Sequence, residues 1–233
     1  AGKDIYVEKP FTDNVEQAIE LQKLAQKKGR VIHVDHIMVY HPVIKKIKER
    51  HPDHIIAVCG CMMQQEHITD TIRKKYAWVD IIYFNCSRIN LGQLKNDVSV
   101  MWDLSVHDLS IIDYLTDGAE PIKVKAVGTK AYSEKESVTF MSLDYGNFLA
   151  NITASWLSPI KERRILIAGT KKMLVYDDVD VLNKLIVYDK GFDKIEDIEY
   201  ADYVIKTRSG DGIIPKLEQS DALYNSLEQF RHS

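Results

Sequence analysis

The chain has no G-x-G-x-x-G turn and no Walker-type loop, so nothing in its 233 residues reads as a pyrophosphate cradle. Its one G-x-G, Gly210-Asp211-Gly212, reads as a polar loop with no strand before it. Cysteine is scarce. Cys59, Cys61 and Cys86 are an odd, sparse set that does not read as a disulfide framework, and a reducing cytoplasm is the expected location. Cys59 and Cys61 lie in the apolar run "IIAVCGCMM" and read as buried thiols on one face of a strand. No apolar run approaches the roughly 18 residues of a membrane span, and the start does not resemble a signal peptide. There is no long basic run and the net charge is −3, which argues against a nucleic-acid partner. No internal repeat or low-complexity segment is visible.

What is present suits one or two globular domains with a sizeable core: 45% hydrophobic and 28% charged residues. "DIYVE" at 4–8 alternates like a strand. A helix follows, with Asp13 and Glu16 spaced as a capping box, Val15, Ala18, Leu21 and Ala25 at helical spacing, and Gly29 at its end. "RVIHV" at 30–34 is a second strand. The three make a βαβ unit, which calls for a parallel sheet larger than two strands.

Beyond residue 37 the pattern changes. "HPVIKKIKER" predicts a short helix opening on Pro42, "HIIAVCGCMM" a strand, and 64–80 a loop with one helical turn. "SVMWDLSVHDLSIIDYLTDG" predicts an amphipathic helix closed by Gly118, buried through Trp102, Leu104, Val106 and Leu109. Six strands follow, from "PIKVKAVGTKAYS" to "KLIVYDK", with turns at Asp144-Tyr145-Gly146-Asn147 and Gly169-Thr170-Lys171. They predict an antiparallel sheet in which Ile122, Val124 and Ala126 with Phe148, Ala150 and Ile152 form an apolar face needing cover. The last stretch, "SDALYNSLEQFRHS", is helical.

Three groups of residues carry candidate chemistry. Asp103 and His107, four apart on one helix face, suit a general acid/base in which the carboxylate orients the imidazole; a surface i,i+4 pair has the same spacing. Lys9 sits between Glu8 and Pro10 at the carboxyl end of a parallel strand, where α/β sheets bind ligands, with Pro10 fixing the turn as a candidate cis bond. His33, Asp35, His36 and His41 look like a metal set, but strand alternation places His33 and Asp35 on one face and His36 on the other, so no metal is expected; His36, Tyr40 and His41 read as pocket residues at the strand exit.

"AGKDIYVEKPFTDNVEQAIELQKLAQKKG", "VDHIMVYHPVIKKIKE", "DVSVMWDLSVHDLSIIDYL" and "ITASWLSPIKERRILIAGTKKMLVYDD", in that order, resemble segments of the Gfo/Idh/MocA family of NAD(P)-dependent oxidoreductases. The resemblance spans most of the chain, and its specific elements are the EKP strand end and the D-x-x-x-H pair. It implies an α/β (α+β) fold: the end of a Rossmann domain over 1–36, then a substrate-binding and oligomerisation domain over 37–233 with an open, mainly antiparallel sheet. About 100 residues of Rossmann domain would precede Ala1, so the chain is expected to be a fragment.

The resemblance also implies roles. Lys9 is the active-site lysine beside the nicotinamide of NAD or NADP, where a cation stabilises alkoxide-like charge. His107 takes the hydroxyl proton, and Asp103 orients it or contacts the substrate. Glu8, Lys9 and Pro10 shape the cofactor pocket; His36, Tyr40 and Arg88 contact substrate. The implied activity is hydride transfer to or from a sugar-like or nucleotide-sugar alcohol or ketone, in a homo-oligomer joined through the open sheet. Two other readings stand beside it: a non-catalytic ligand-binding or dimerisation domain, and a sugar dehydratase-like lyase with tightly held NAD.

Overall fold

A computed structural model describes residues 2–49, 80–197, 202–217 and 220–232. The expected strand at 54–63, with Cys59 and Cys61, lies outside the described residues, as does nearly all of the 64–80 loop.

The chain opens with the predicted βαβ unit. β1 (Ile5–Glu8) and β2 (Ile32–Asp35) pair in parallel, Ile5 opposite Ile32 and Glu8 opposite Asp35, and α1 (Val15–Lys28) connects them. The cap of α1 falls one residue later than predicted: the Asn14 side chain, not Asp13, accepts from the Gln17 N–H at 3.1 Å. Gly29 ends the helix at φ 56°, where its N–H reaches back to the carbonyls of Ala25 and Gln26. No residue of α1 is buried, and Val15, Ile19 and Leu24 stand in solvent. A 3₁₀ turn (Ile37–Tyr40) leads from β2 into α2 (Pro42–Glu49).

The larger layer is an eight-stranded sheet of order β10-β9-β8-β7-β3-β6-β5-β4. Its strands are β3 (Ile81–Leu91), β4 (Lys123–Lys130), β5 (Glu136–Asp144), β6 (Leu149–Ser155), β7 (Leu157–Gly169), β8 (Met173–Asp177), β9 (Leu185–Asp197) and β10 (Asp202–Ile213). Every pairing is antiparallel except β3 with β6. The open, mainly antiparallel sheet is as expected, but sequence reading missed two strands. β3 is the central one; Asn85, Ser87 and Arg88 break up its apolar run. β10 contains Gly210-Asp211-Gly212, which lies at a bulge in the strand and not in a loop. A Cβ on Gly210 would stand 2.8 Å from the Asp189 carbonyl oxygen, so a side chain there would force the neighbouring strand to shift.

α2 and α3 (Val106–Leu115) cover one face of the sheet. The core joins Val43, Ile44 and Ile47 to Ile111, Ile112 and Leu115, above Phe84, Cys86, Ile152, Ile165 and Leu174. α3 turns Asp108, Ile111, Ile112 and Leu115 inward, and Ser105 just before it is also buried, while Trp102 is exposed, contrary to expectation. The apolar face predicted to need cover is also split. Phe148, Ala150 and Ile152 lie under the helices, whereas Val124 and Ala126 on edge strand β4 are bare. The uncovered face is the opposite one, where cross-strand registers align Val127 with Phe140 and Leu149 with Tyr83, all exposed.

The last helix, α4 (Ala222–Arg231), packs against the 3₁₀ turn and the β1–β2 pair. Its Ser226 hydroxyl is fully buried, donates to Asp35 at 2.7 Å, and lies 3.1 Å from both the Tyr6 hydroxyl and His33 Nε2. Among the described residues no helix is long and apolar enough to cross a membrane.

Candidate active site

The carboxyl end of β1 delivers Lys9 to the start of the helical segment that becomes α3, and the Lys9–Pro10 bond that follows is cis. There the chain makes a widened π-type turn, Met101–Ser105. A π turn needs about one residue more than an α turn, so the helical period shifts between Asp103 and His107. Lys9 Nζ donates to the Asp103 carbonyl at 2.7 Å and lies 3.3 Å from its Oδ1.

Asp103 is the hub of the site. Oδ1 also accepts from Lys95 at 2.7 Å, and Oδ2 from the Trp156 indole at 3.3 Å. Burial alone would raise this carboxyl; the Lys95 hydrogen bond and the Lys9 charge outweigh it and hold the group below its ordinary value. The expected orienting bond from Asp103 to His107 is replaced by these contacts. His107 Nδ1 is instead buried without a partner. Burial, reinforced by the charges of Arg88 and Lys9, pushes His107 down to about 3, so its imidazole is neutral at physiological pH.

Arg88 departs from its predicted place among substrate contacts. It is 4% exposed and grips buried Asp108 at 2.8 Å through one terminal nitrogen and 3.2 Å through Nε. Burial pushes Asp108 up while the guanidinium opposes it. His36 feels the charge of Lys9. Its Nδ1 is a second buried, unpartnered ring nitrogen, and burial lowers its pKa against the opposing pull of Asp35 and Asp113, with a smaller lowering contribution from Lys9. Tyr40 instead packs on His33, ring centroids 5.8 Å apart, and its carbonyl accepts from Asn225. His33 and Asp35 do share a face, where both meet Ser226. Among the described residues no cluster of metal-ligating side chains occurs. Lys95, Trp156 and Asp108 were not anticipated; each is placed by long-range packing and carries no local motif.

The fold and site together define a two-part α/β arrangement: a parallel-strand lysine set against a helix of an open, mainly antiparallel sheet. Comparison with known proteins agrees. Residues 1–36 match the model described as "Oxidoreductase family, NAD-binding Rossmann fold", and 90–175 match the GFO/IDH/MocA C-terminal domain. The chain is 30% identical over 195 residues to UDP-N-acetylglucosamine 3-dehydrogenase of Acidithiobacillus ferrooxidans, covering 82% of this chain and 52% of that protein. The solved structure of that enzyme, GnnA, superimposes with a TM-score of 0.69 at 25% identity, over 98% of this chain and 61% of that one. An oxidoreductase structure from Magnetospirillum magnetotacticum MS-1 shares the fold, with a TM-score of 0.72 at 20% identity over 99% of this chain and 64% of that one. A different relative, tRNA-2-methylthio-N(6)-dimethylallyladenosine synthase of Clostridioides difficile, is 30% identical over 67% of this chain and 34% of that protein. The chain belongs to the Gfo/Idh/MocA family of oxidoreductases. It spans about half the length of the curated dehydrogenase it matches.

Proposed function

We propose that the chain supplies the nicotinamide-proximal edge and the substrate half of an NAD- or NADP-dependent dehydrogenase acting on a sugar-like or nucleotide-sugar alcohol or ketone. The observation that carries this reading is the meeting of Lys9 and Asp103, 94 residues apart, beside a half-buried, neutral His107. Residues 1–36 form the cofactor-side unit and 37–233 the substrate-side unit.

The residues present suit the nicotinamide end of the cofactor. Lys9 sits where a parallel strand ends, the side on which such sheets hold a dinucleotide, and its charge reaches His36 and His107, each with an unpartnered ring nitrogen. Glu8, Lys9 and Pro10 would border it, and when bound it supplies the hydride acceptor. His107, neutral, takes the hydroxyl proton of the substrate; the Lys9 ammonium stabilises the negative charge that grows on that oxygen. Asp103 orients Lys9 rather than His107.

The dehydrogenase relative supports a nucleotide-sugar substrate, and the uncovered face of the sheet supports a second copy as partner. Phe140, 53% exposed, and Leu149, 54% exposed, are large for a solvated surface. The test is nicotinamide reduction by the whole gene product with UDP-N-acetylglucosamine and with neutral sugars, in the parent and in Lys9→Ala and His107→Ala. Loss of turnover in both variants is expected, and full activity in both removes the assignment. A parent that binds sugars without reducing any nicotinamide would instead favour a ligand-binding domain.

A further inference from the structure

The register of β3 against β7 sets Arg88 directly opposite Arg163. Cross-strand partners share a face, so both guanidinium groups lie on the helix-covered side. Their surroundings differ. Arg88 is buried and neutralised by Asp108, whereas the Arg163 side chain is 43% exposed. Its nearest carboxylate is Asp178, at 3.7 Å, longer than a hydrogen bond. Asp178 is already engaged by Lys184 at 3.2 Å, so it keeps a cation when Arg163 moves away.

Among the described residues, the charges that act on His107 are those of Arg88, Lys9 and Arg163 against Asp103, and the wider ion pairs of this group do not cancel. Lys9 and Lys95 share the single carboxylate of Asp103, and Arg163 and Lys184 share that of Asp178. Each trio leaves one positive charge. The Arg88–Asp108 pair between them is neutral, and so is His107. In a chain of net charge −3, this is a local concentration of cations on the face that carries His107. The charge of Arg163 is close enough to help depress His107.

We propose that Arg163 binds an anionic group of the substrate, a phosphate oxygen or a carboxylate, and so sets the specificity of the site. The inference rests on the dehydrogenase reading and deepens it: the substrate is an anionic sugar. Guanidinium suits the task because its planar fork gives two parallel donors to one oxyanion. The position that sequence reading gave to Arg88 thus passes to its cross-strand neighbour. Arg88 serves the core, and Arg163 has donors to offer.

The test is calorimetric binding to the whole gene product, with UDP as the phosphate probe and glucuronate as the carboxylate probe. The parent is compared with Arg163→Gln and Arg163→Lys. The parent is expected to bind at least one probe, and the identity of that probe tells phosphate from carboxylate. Arg163→Gln should weaken it about 10- to 100-fold, the worth of a charged hydrogen bond, and Arg163→Lys should recover part of the loss. Nicotinamide cofactor affinity and thermal midpoint should not change, since the side chain is half exposed. Equal binding by the parent and Arg163→Gln overturns the proposal, as does a parent that binds neither probe. A parent that binds an anion through Arg163 yet reduces no nicotinamide keeps the inference and overturns the dehydrogenase reading, so the two failures are distinct.

Discussion

Lys9 and Asp103 form an ion pair between the βαβ unit and the large domain, with Nζ 3.3 Å from Oδ1 and 2.7 Å from the aspartate's own carbonyl oxygen. The two contacts fix the ammonium against the π turn. Replacing Lys9 by Met removes the charge and leaves Asp103 held by Lys95 and Trp156, so the fold should survive. On the proposed dehydrogenase reading, turnover by the whole gene product should fall on the order of 100- to 1,000-fold with a small change in KM, as expected for a group that acts mainly in the transition state. Steady-state kinetics would check it, and turnover within about threefold of the parent would take Lys9 out of the chemistry.

The two halves of that pair were legible in the sequence for different reasons. Lys9 is marked by a strand end and a following proline, and Asp103 by its spacing from His107. Their contact with each other was not legible, because no local pattern encodes a meeting across 94 residues. The same limit explains β3. Its buried positions, Phe84, Cys86 and Arg88, do alternate, but an arginine at a core position hides the period until Asp108 is known to neutralise it. Turns and caps were read from single residues such as Gly146 and Gly29, because a positive φ is a local requirement. The face of the sheet that lacks cover depends on where α2 and α3 dock, so its reversal could not be foreseen from β4 and β6.

His107 should make stability depend on pH. Its imidazole is held at about 3 in the folded chain and titrates near 6.5 when unfolded. Between those values the unfolded chain binds the extra proton, so stability falls as pH drops through the window and is fully regained above it. One such group contributes a slope of about 1.4 kcal/mol per pH unit. His36 and His41, also lowered by burial, add to the slope with the same sign. Urea unfolding at a series of pH values should show the slope reduced by about one proton in His107→Gln. An unchanged slope would mean that His107 is not kept neutral by its surroundings.

Asp108 is worth more to the fold than its single contact suggests. It is 1% exposed and holds the buried Arg88 guanidinium. Asp108→Ala strands that cation in the core and should cost about 3–5 kcal/mol by chemical denaturation. The double change Arg88→Met with Asp108→Leu removes both charges and should restore most of the loss. A double variant no more stable than Asp108→Ala would mean that packing, not charge, sets the cost.

Ser226 ties the last helix to the first strands. Its buried hydroxyl donates to Asp35, itself 2% exposed, and meets Tyr6 and His33, while Phe230 packs its ring against both of those residues. Ser226→Ala removes the 2.7 Å donor from a buried carboxylate and should destabilise by about 1–3 kcal/mol. The loss should be local. Amide hydrogen exchange in α4 should accelerate while the β3–β7 amides of the large sheet keep their protection, because the hydroxyl bridges only the helix and the β1–β2 pair. Uniform acceleration across the sheet would show that α4 and the large sheet unfold as one unit, and unchanged exchange in α4 would assign the docking to the Phe230 ring contacts and the Asn225–Tyr40 hydrogen bond.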